Sequence, residues 1–182
     1  IFYEDPSVLV MSTHQDGRTL FPGTGNVEDI GAAAGKGYNV NVPLPPKTTD
    51  EAYLRVVSEI FEPIAEQFDP DLVFVEAGQD NHFTDPITDL GVTAQGYAAL
   101  MESAVNVANR LAGGDIVASL AGGYGIEGGL PYTNLAVIAT LLDYETEYIR
   151  EPAIYEPPTE TPDVSDVIQR VIDVQGPYWN LP

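Results

Sequence analysis

The chain has 182 residues, no cysteine, and 28 Asp+Glu against 7 Lys+Arg, a formal net charge of −21 at pH 7. That length supports one domain with a real core. The missing cysteines remove disulfides and thiolate metal sites, and so acidic a chain argues against direct binding of nucleic acid, which needs clustered Lys and Arg.

No run approaches the ~18 apolar residues of a membrane helix. No basic stretch leads into an apolar one, as a secretory signal would require. The chain begins with Ile1 rather than Met, so targeting upstream of Ile1 stays open. A hydrophobic fraction of 44% opposes disorder. We read the acidity as salt adaptation of a cytoplasmic protein. The alternative is an acidic face for a cationic substrate.

In chain order, the apolar run 8–11 predicts a buried strand. Residues 17–37 form a long loop with turn signals at Pro22-Gly23 and further glycines. Residues 38–44 alternate and predict a second strand, stopped by Pro43, Pro45 and Pro46. A helix is expected over 50–67, with Leu54, Val57, Phe61, Ile64 and Phe68 on one stripe and a kink or stop at Pro63.

Residues 72–75 predict a third strand, running into a polar loop over 78–88. A helix over 93–111 takes Thr93 as N-cap and turns Tyr97, Leu100, Met101, Ala104, Ala108 and Leu111 to the core. Residues 116–120 predict a fourth strand that ends in Ala121-Gly122-Gly123-Tyr124, and a further helix covers 131–143. Residues 150–163, rich in Pro and Glu, read as a surface linker. Val164, Val167, Ile168, Val171 and Ile172 mark a last helix that docks back on the domain.

This alternation predicts an α/β fold, a parallel sheet with helices on both faces. Ligands in such folds bind outside the carboxyl ends of the strands. That places the candidates in the loops 13–21, 79–87 and 122–125, with the segment after Leu44. Gly31-Ala32-Ala33-Ala34-Gly35-Lys36-Gly37 is one residue short of a phosphate-binding loop and lacks its Ser/Thr. Gly23-x-Gly25 has no third glycine. Neither predicts nucleotide binding.

Asp80 follows a buried strand beside Gly78 and suits a metal ligand or a turn cap alike. Asp80-x-His82 mimics a metal pair, but a loop histidine paired to a nearby acid is the simpler reading. Tyr124 stands on a backbone that permits close approach of a ligand, where a phenol is able to donate to a developing oxyanion. Taken alone, an ordinary exposed or core tyrosine explains it as well.

Read in order, several segments resemble the histone deacetylase superfamily, which includes acetoin-utilisation proteins and acetylpolyamine amidohydrolases. They are Phe21-Pro22-Gly23-Thr24-Gly25, then 35–43 (GKGYNVNVP), Ala77-Gly78-Gln79-Asp80 with Asp85-Pro86, Leu90-x-x-Thr93-x-x-Gly96-Tyr97, and Gly122-Gly123-Tyr124. The resemblance covers about residues 1–145, and Tyr178-Trp179 with the terminal helix resembles family tails. It implies an arginase/deacetylase-like fold, here a C-terminal portion of it. Residues 1–149 would be the C-terminal part of the catalytic domain, 150–163 a linker, and 164–182 a docking helix and tail.

The resemblance also implies roles. Asp80 falls on a zinc ligand, Tyr124 on the residue that hydrogen-bonds the substrate carbonyl, and Phe21 and Ile87 on the walls of the acyl-lysine tunnel, with Gly122 and Gly123 beside it. Ile87 departs from the more familiar Leu or Met. A potassium ion would sit on the backbone carbonyls of Phe2, Asp5, Val8 and Tyr38, and another on Ser12 and Thr13.

The family's remaining zinc ligands, an Asp-x-His pair, and its His-His dyad would lie upstream of Ile1. Catalytic zinc needs about three protein ligands. The expectation is therefore a zinc-dependent deacetylase acting on acetyl-lysine or acetylpolyamine, with this chain supplying one ligand and the tyrosine and needing the upstream half of the domain as partner. The alternative is an inactive remnant that binds an acetylated amine or a protein partner.

Overall fold

The computed structural model describes residues 1–182. Strands β1 (Val10–Gln15), β2 (Asn39–Leu44), β3 (Val73–Glu76) and β4 (Ile116–Ser119) alternate with helices α1 (Asp50–Val56), α2 (Glu62–Phe68), α3 (Ala94–Leu111), α4 (Leu130–Leu141) and α5 (Ser165–Gln175). The expected parallel α/β alternation is present. The four strands form two separate parallel pairs, β1–β2 and β3–β4, rather than one continuous sheet. Helix α5 packs on β2 and α3 on β3. No helix is long and apolar enough to cross a membrane.

Strand β1 runs past the apolar stretch that predicted it. Its register, Val10 with Asn39 through Gln15 with Leu44, carries Ser12, Thr13 and His14 into the ladder. The edge of β2 satisfies their backbone groups whatever their side chains are. Val8 stays in the preceding loop. In β2, the Tyr38 and Leu44 carbonyls accept from Val10 and Asp16. Residues 39, 41 and 43 therefore turn their backbone polar groups away from β1. Pro43, which has no N–H, lies on that unpaired edge and does not stop the strand.

The helix expected over 50–67, with a kink or stop at Pro63, breaks as expected through a π turn at Val57–Phe61. Pro63 is the cause. It cannot donate, and its ring would meet the carbonyl four residues back. The chain widens one turn, so that the Glu62 N–H reaches the Val57 carbonyl, and restarts as α2 with Pro63 in its first turn.

Ile64 of the expected stripe is buried, but ahead of the π turn the buried face is rotated by one residue. Tyr53, Val56, Ile60 and Ile64 are in the core, whereas Leu54, Val57 and Phe61 are half-buried. Both stripes are apolar, and packing chose between them. Helix α3 begins as expected, with Thr93 Oγ1 accepting from the Gly96 N–H at 3.1 Å. Its buried side holds Tyr97, Met101, Val107 and Ala108, while Leu100, Ala104 and Leu111 are half-buried.

Val40, Val42, Leu44, Val56, Ile60, Ile64, Leu90, Val92 and Tyr97 belong to one core cluster, closed by Ile168, Val171 and Trp179 from the C-terminus. Helix α5 thus docks back as its pattern predicts. Gln175 Nε2 donates to the Asn39 carbonyl (2.9 Å) and Trp179 Nε1 to the Gly37 carbonyl (2.8 Å). Residues 150–163 have no helix or strand and are mostly exposed, with Glu151 turned inward.

Candidate functional site

The parallel pair β3–β4 delivers two loops side by side. Past β3, a 3₁₀ turn Gln79–Asn81 holds Asp80. The Gly78 carbonyl accepts from the Tyr97 hydroxyl (2.7 Å), the Asp80 carbonyl from Thr88 Oγ1, and the Ala121 carbonyl from the Gln79 N–H (3.2 Å). The last bond joins the Asp80 turn to the loop that leaves β4. There Gly122 (φ +74°) and Gly123 (φ +85°) adopt the left-handed conformation. A Cβ on Gly122 would lie 3.0 Å from Asp80 Oδ1, and one on Gly123 would lie 2.9 Å from the Gln79 Cβ. Only glycines allow the two loops to approach so closely.

Asp80 is half-buried, and no other residue donates a hydrogen bond to its carboxylate. Burial, then the charges of Asp85 and Glu76, push its pKa above the ordinary value. An ionised carboxylate with free lone pairs in such a place suits a cation. The residues present fit one ligand and not a whole site, because no group of three or more His, Asp or Glu converges anywhere in these residues. Zinc held here would need ligands from beyond this chain.

Tyr124 follows the two glycines and is 56% exposed. The expected tunnel residues Phe21 and Ile87 are likewise exposed. Ile87 shares the Asp80 loop. Phe21 lines a separate groove with Ser12, His14, Gln15, Leu20 and Asn41, and that groove includes neither Asp80 nor Tyr124.

The expected potassium positions are engaged in the fold. The Phe2, Asp5 and Tyr38 carbonyls each accept a backbone hydrogen bond, from Asp5 (3.0 Å), Val8 (3.4 Å) and Val10 (2.9 Å). A carbonyl keeps a second lone pair for a further partner. Ser12 Oγ bonds His14 Nδ1 at 2.9 Å. Thr13 Oγ1 donates to the Tyr53 hydroxyl oxygen, and the Thr13 carbonyl accepts from the same hydroxyl. Asn81 Nδ2 also donates to that oxygen (3.2 Å), so β1 and the Asp80 turn share one buried phenol. Burial, above all, lifts the Tyr53 pKa to about 12, which keeps it a neutral donor.

His82 does not join Asp80 in a metal pair. Its ring is buried, and Nε2 lies 2.8 Å from Glu151 Oε1. A loop histidine paired to an acid is the expected arrangement, but the acid is 69 residues away in sequence. Nδ1 accepts from the Thr84 N–H (3.1 Å), which leaves the proton of a neutral ring on Nε2, facing the carboxylate. Glu151 Oε1 also accepts from the Ala94 N–H at the start of α3. Although burial acts against it, the bonds from His82 and Ala94 hold the Glu151 pKa below its ordinary value.

Two residues of this neighbourhood escaped sequence reasoning. Glu151 sits in a Pro/Glu-rich stretch where nothing local marks it. Asp85 carried a visible signal, its place before Pro86 in a segment quoted for the resemblance, but no role was attached to it.

Residues 1–141 match the family of the histone deacetylase domain. A probable deacetylase of Archaeoglobus fulgidus is 52% identical over 157 residues, 86% of this chain and 43% of that relative. Acetoin utilization protein AcuC of Bacillus subtilis is 37% identical over 125 residues, 69% of this chain and 32% of its own length. The crystal structure of the HDA15 HD domain superposes with a TM-score of 0.82 at 30% identity, covering 98% of this chain and 46% of that one. The chain spans less than half the length of the curated relatives it matches.

Proposed function

This chain belongs to the histone deacetylase family, and we propose that it contributes Asp80 and Tyr124 to a zinc-dependent deacetylase that hydrolyses N-acetyl amides of lysine or polyamines. One observation carries the reading. A half-buried carboxylate to which no other residue donates lies 3.0 Å from where a Cβ on Gly122 would stand, and the next side chain of that loop is a phenol.

A zinc ion held there would supply Lewis-acid polarisation of the acetyl carbonyl and a water of lowered pKa. The work of this chain surrounds that chemistry. Asp80 would supply one ligand to the ion. Gly122 and Gly123 let the amide approach the backbone. Tyr124 donates a hydrogen bond to the carbonyl oxygen as negative charge develops there. Ile87, and Phe21 from the β1 side, line the acyl tunnel. Potassium bound at the Phe2, Asp5, Val8 and Tyr38 carbonyls, or at Ser12 and Thr13, would tie the loops around β1. The other zinc ligands and the general base come from residues outside this chain. That same part of the domain covers the bare face of β3–β4, where Phe74 and Val117 are exposed.

A second reading follows from the absence of a three-ligand cluster. A chain limited to these residues would bind an acetylated amine or a partner without catalysis. Metal analysis separates the two. The 182-residue chain should retain well under one zinc after dialysis, and the complete protein should retain it stoichiometrically. In the complete protein, Tyr124→Phe should lower kcat by ~10²–10³ with a much smaller change in KM. Asp80→Ala should lose zinc and activity together. Stoichiometric zinc in the short chain, or near-normal kcat of Tyr124→Phe, would overturn the assignment.

A further inference from the structure

Asp85 is 9% exposed, and all its neighbours of interest are backbone. Oδ2 accepts from the Tyr124 N–H (2.6 Å) and the Gly125 N–H (3.2 Å), and Oδ1 accepts from the Ile87 N–H (2.9 Å). The loop that donates the first two of these bonds is otherwise held at its start by the Gln79 N–H on the Ala121 carbonyl and beyond it by turn bonds to the Tyr124 and Gly125 carbonyls. Residues 121–125 have neither helix nor strand, and two of them are glycines at positive φ. Tyr124 is more than half exposed, so packing does not fix it. The backbone of such a loop keeps its conformational freedom unless hydrogen bonds remove it.

We propose that Asp85 is a positioning residue, whose carboxylate fixes the Tyr124 backbone and so aims the phenol at the substrate carbonyl. The proposal rests on the reading of Tyr124 as the oxyanion donor. Three N–H groups converge on one side chain, and only an acceptor-only group satisfies all three. Asparagine, of the same size, would turn an amide N–H toward at least one of them. Charge shortens and strengthens these bonds relative to neutral ones.

The second tether of the loop supports the same logic. Thr84 Oγ1 accepts from the Gly129 N–H (2.8 Å), and a Cβ on Gly129 would meet the His82 ring at 2.0 Å. The loop is therefore fastened at both ends to the segment 82–87. Asp85 holds the end that carries the phenol.

The test uses the complete protein that contains this chain. Asp85→Asn, Tyr124→Phe and the double variant are compared by steady-state kinetics on an acetyl-lysine peptide, with zinc content measured. Misplacing a catalytic group by ~1 Å costs up to ~10²-fold, so Asp85→Asn should lower kcat by ~10- to 100-fold, retain zinc and leave KM within ~3-fold. In the Tyr124→Phe background the same substitution should cost less than ~3-fold, because residues acting through one group are not additive.

Unchanged kcat in Asp85→Asn, or a full multiplicative loss in the double variant, overturns the proposal while leaving the reading of Tyr124 intact. Near-normal kcat of Tyr124→Phe overturns that reading, and this proposal with it. If Asp85→Asn does not fold, residue-resolved hydrogen exchange on the unaltered protein decides. The Tyr124 and Gly125 amides should be protected relative to that of Glu127, and exchange as fast as Glu127 sinks the clamp.

Discussion

In β2, Val40, Val42 and Leu44 are at most 1% exposed. In the other strand pair, Phe74 and Val117 face each other across the register at 64% and 47% exposed. Both pairs are parallel, β2 with an alternating apolar pattern and β3 and β4 mostly apolar, and parallel sheets are ordinarily buried on both faces. Helix α5 covers β2, whereas one face of β3–β4 is bare. Helix α4 repeats the contrast. Ala136, Val137 and Ala139 are buried, while Leu135, Ile138 and Leu142 form an exposed apolar stripe. Contiguous exposed apolar surface of this kind marks a contact site. Strand β2 is covered within these residues, whereas one face of β3–β4 and one side of α4 stand open.

The sharpest way to break the contrast is truncation in each pair. Leu44→Ala should destabilise by ~2–5 kcal/mol, the usual cost of deleting a buried leucine. Phe74→Ala in the 182-residue chain should fall within about 0.5 kcal/mol of no effect. In the complete protein the same Phe74→Ala should cost ~3–5 kcal/mol if the proposed cover is in place. Urea unfolding of both forms measures all of these. A small Phe74 effect in the complete protein would leave the bare face without its proposed occupant.

Beside the second pair, the buried His82–Glu151 contact ties the C-terminal segment to the loop after β3. Glu151→Gln should cost ~1–3 kcal/mol near neutral pH, the range for removing one partner of a buried polar pair. The pKa of Glu151 is depressed in the folded state from an ordinary value of 4.5. Its contribution is therefore fully present above 4.5 and is lost as pH falls through the folded pKa. The stability–pH curve of the variant should converge on that of the parent in acid, and parallel curves across that window would refute the linkage.

Asp80 has the opposite sign. Its pKa is raised from 3.8, so the fold holds the proton more tightly than the unfolded chain does. Ionisation therefore lowers stability as pH rises through the folded pKa. Asp80→Asn should raise the Tm of the metal-free chain at neutral pH and leave it nearly unchanged in acid. A lower Tm at neutral pH would mean that the carboxylate contributes to the fold rather than being kept at its expense.

The smallest effect should be that of salt. With a net charge of −21, repulsion is screened as the Debye length falls to ~3 Å at 1 M. Molar KCl should then raise the Tm of both forms. An unchanged or lowered Tm would count against salt adaptation.

The sequence by itself determined what depends on near neighbours. The apolar periodicity located every helix and strand to within a few residues, the Thr93 cap set the start of α3, and the one-sided pattern of α5 announced its docking. The ordered segments from Phe21 to Tyr124 were enough to mark the family, because motif spacing is preserved in the chain itself. Only the tertiary structure decided which of two apolar stripes in α1–α2 faces the core, since each has the same period. It alone brought Glu151 to His82 across 69 residues and Asp85 to the Tyr124 N–H across 39. It also left Phe74 in the open. Hydrogen-bond partners and burial are set by where the chain returns in space, and no local pattern encodes that return.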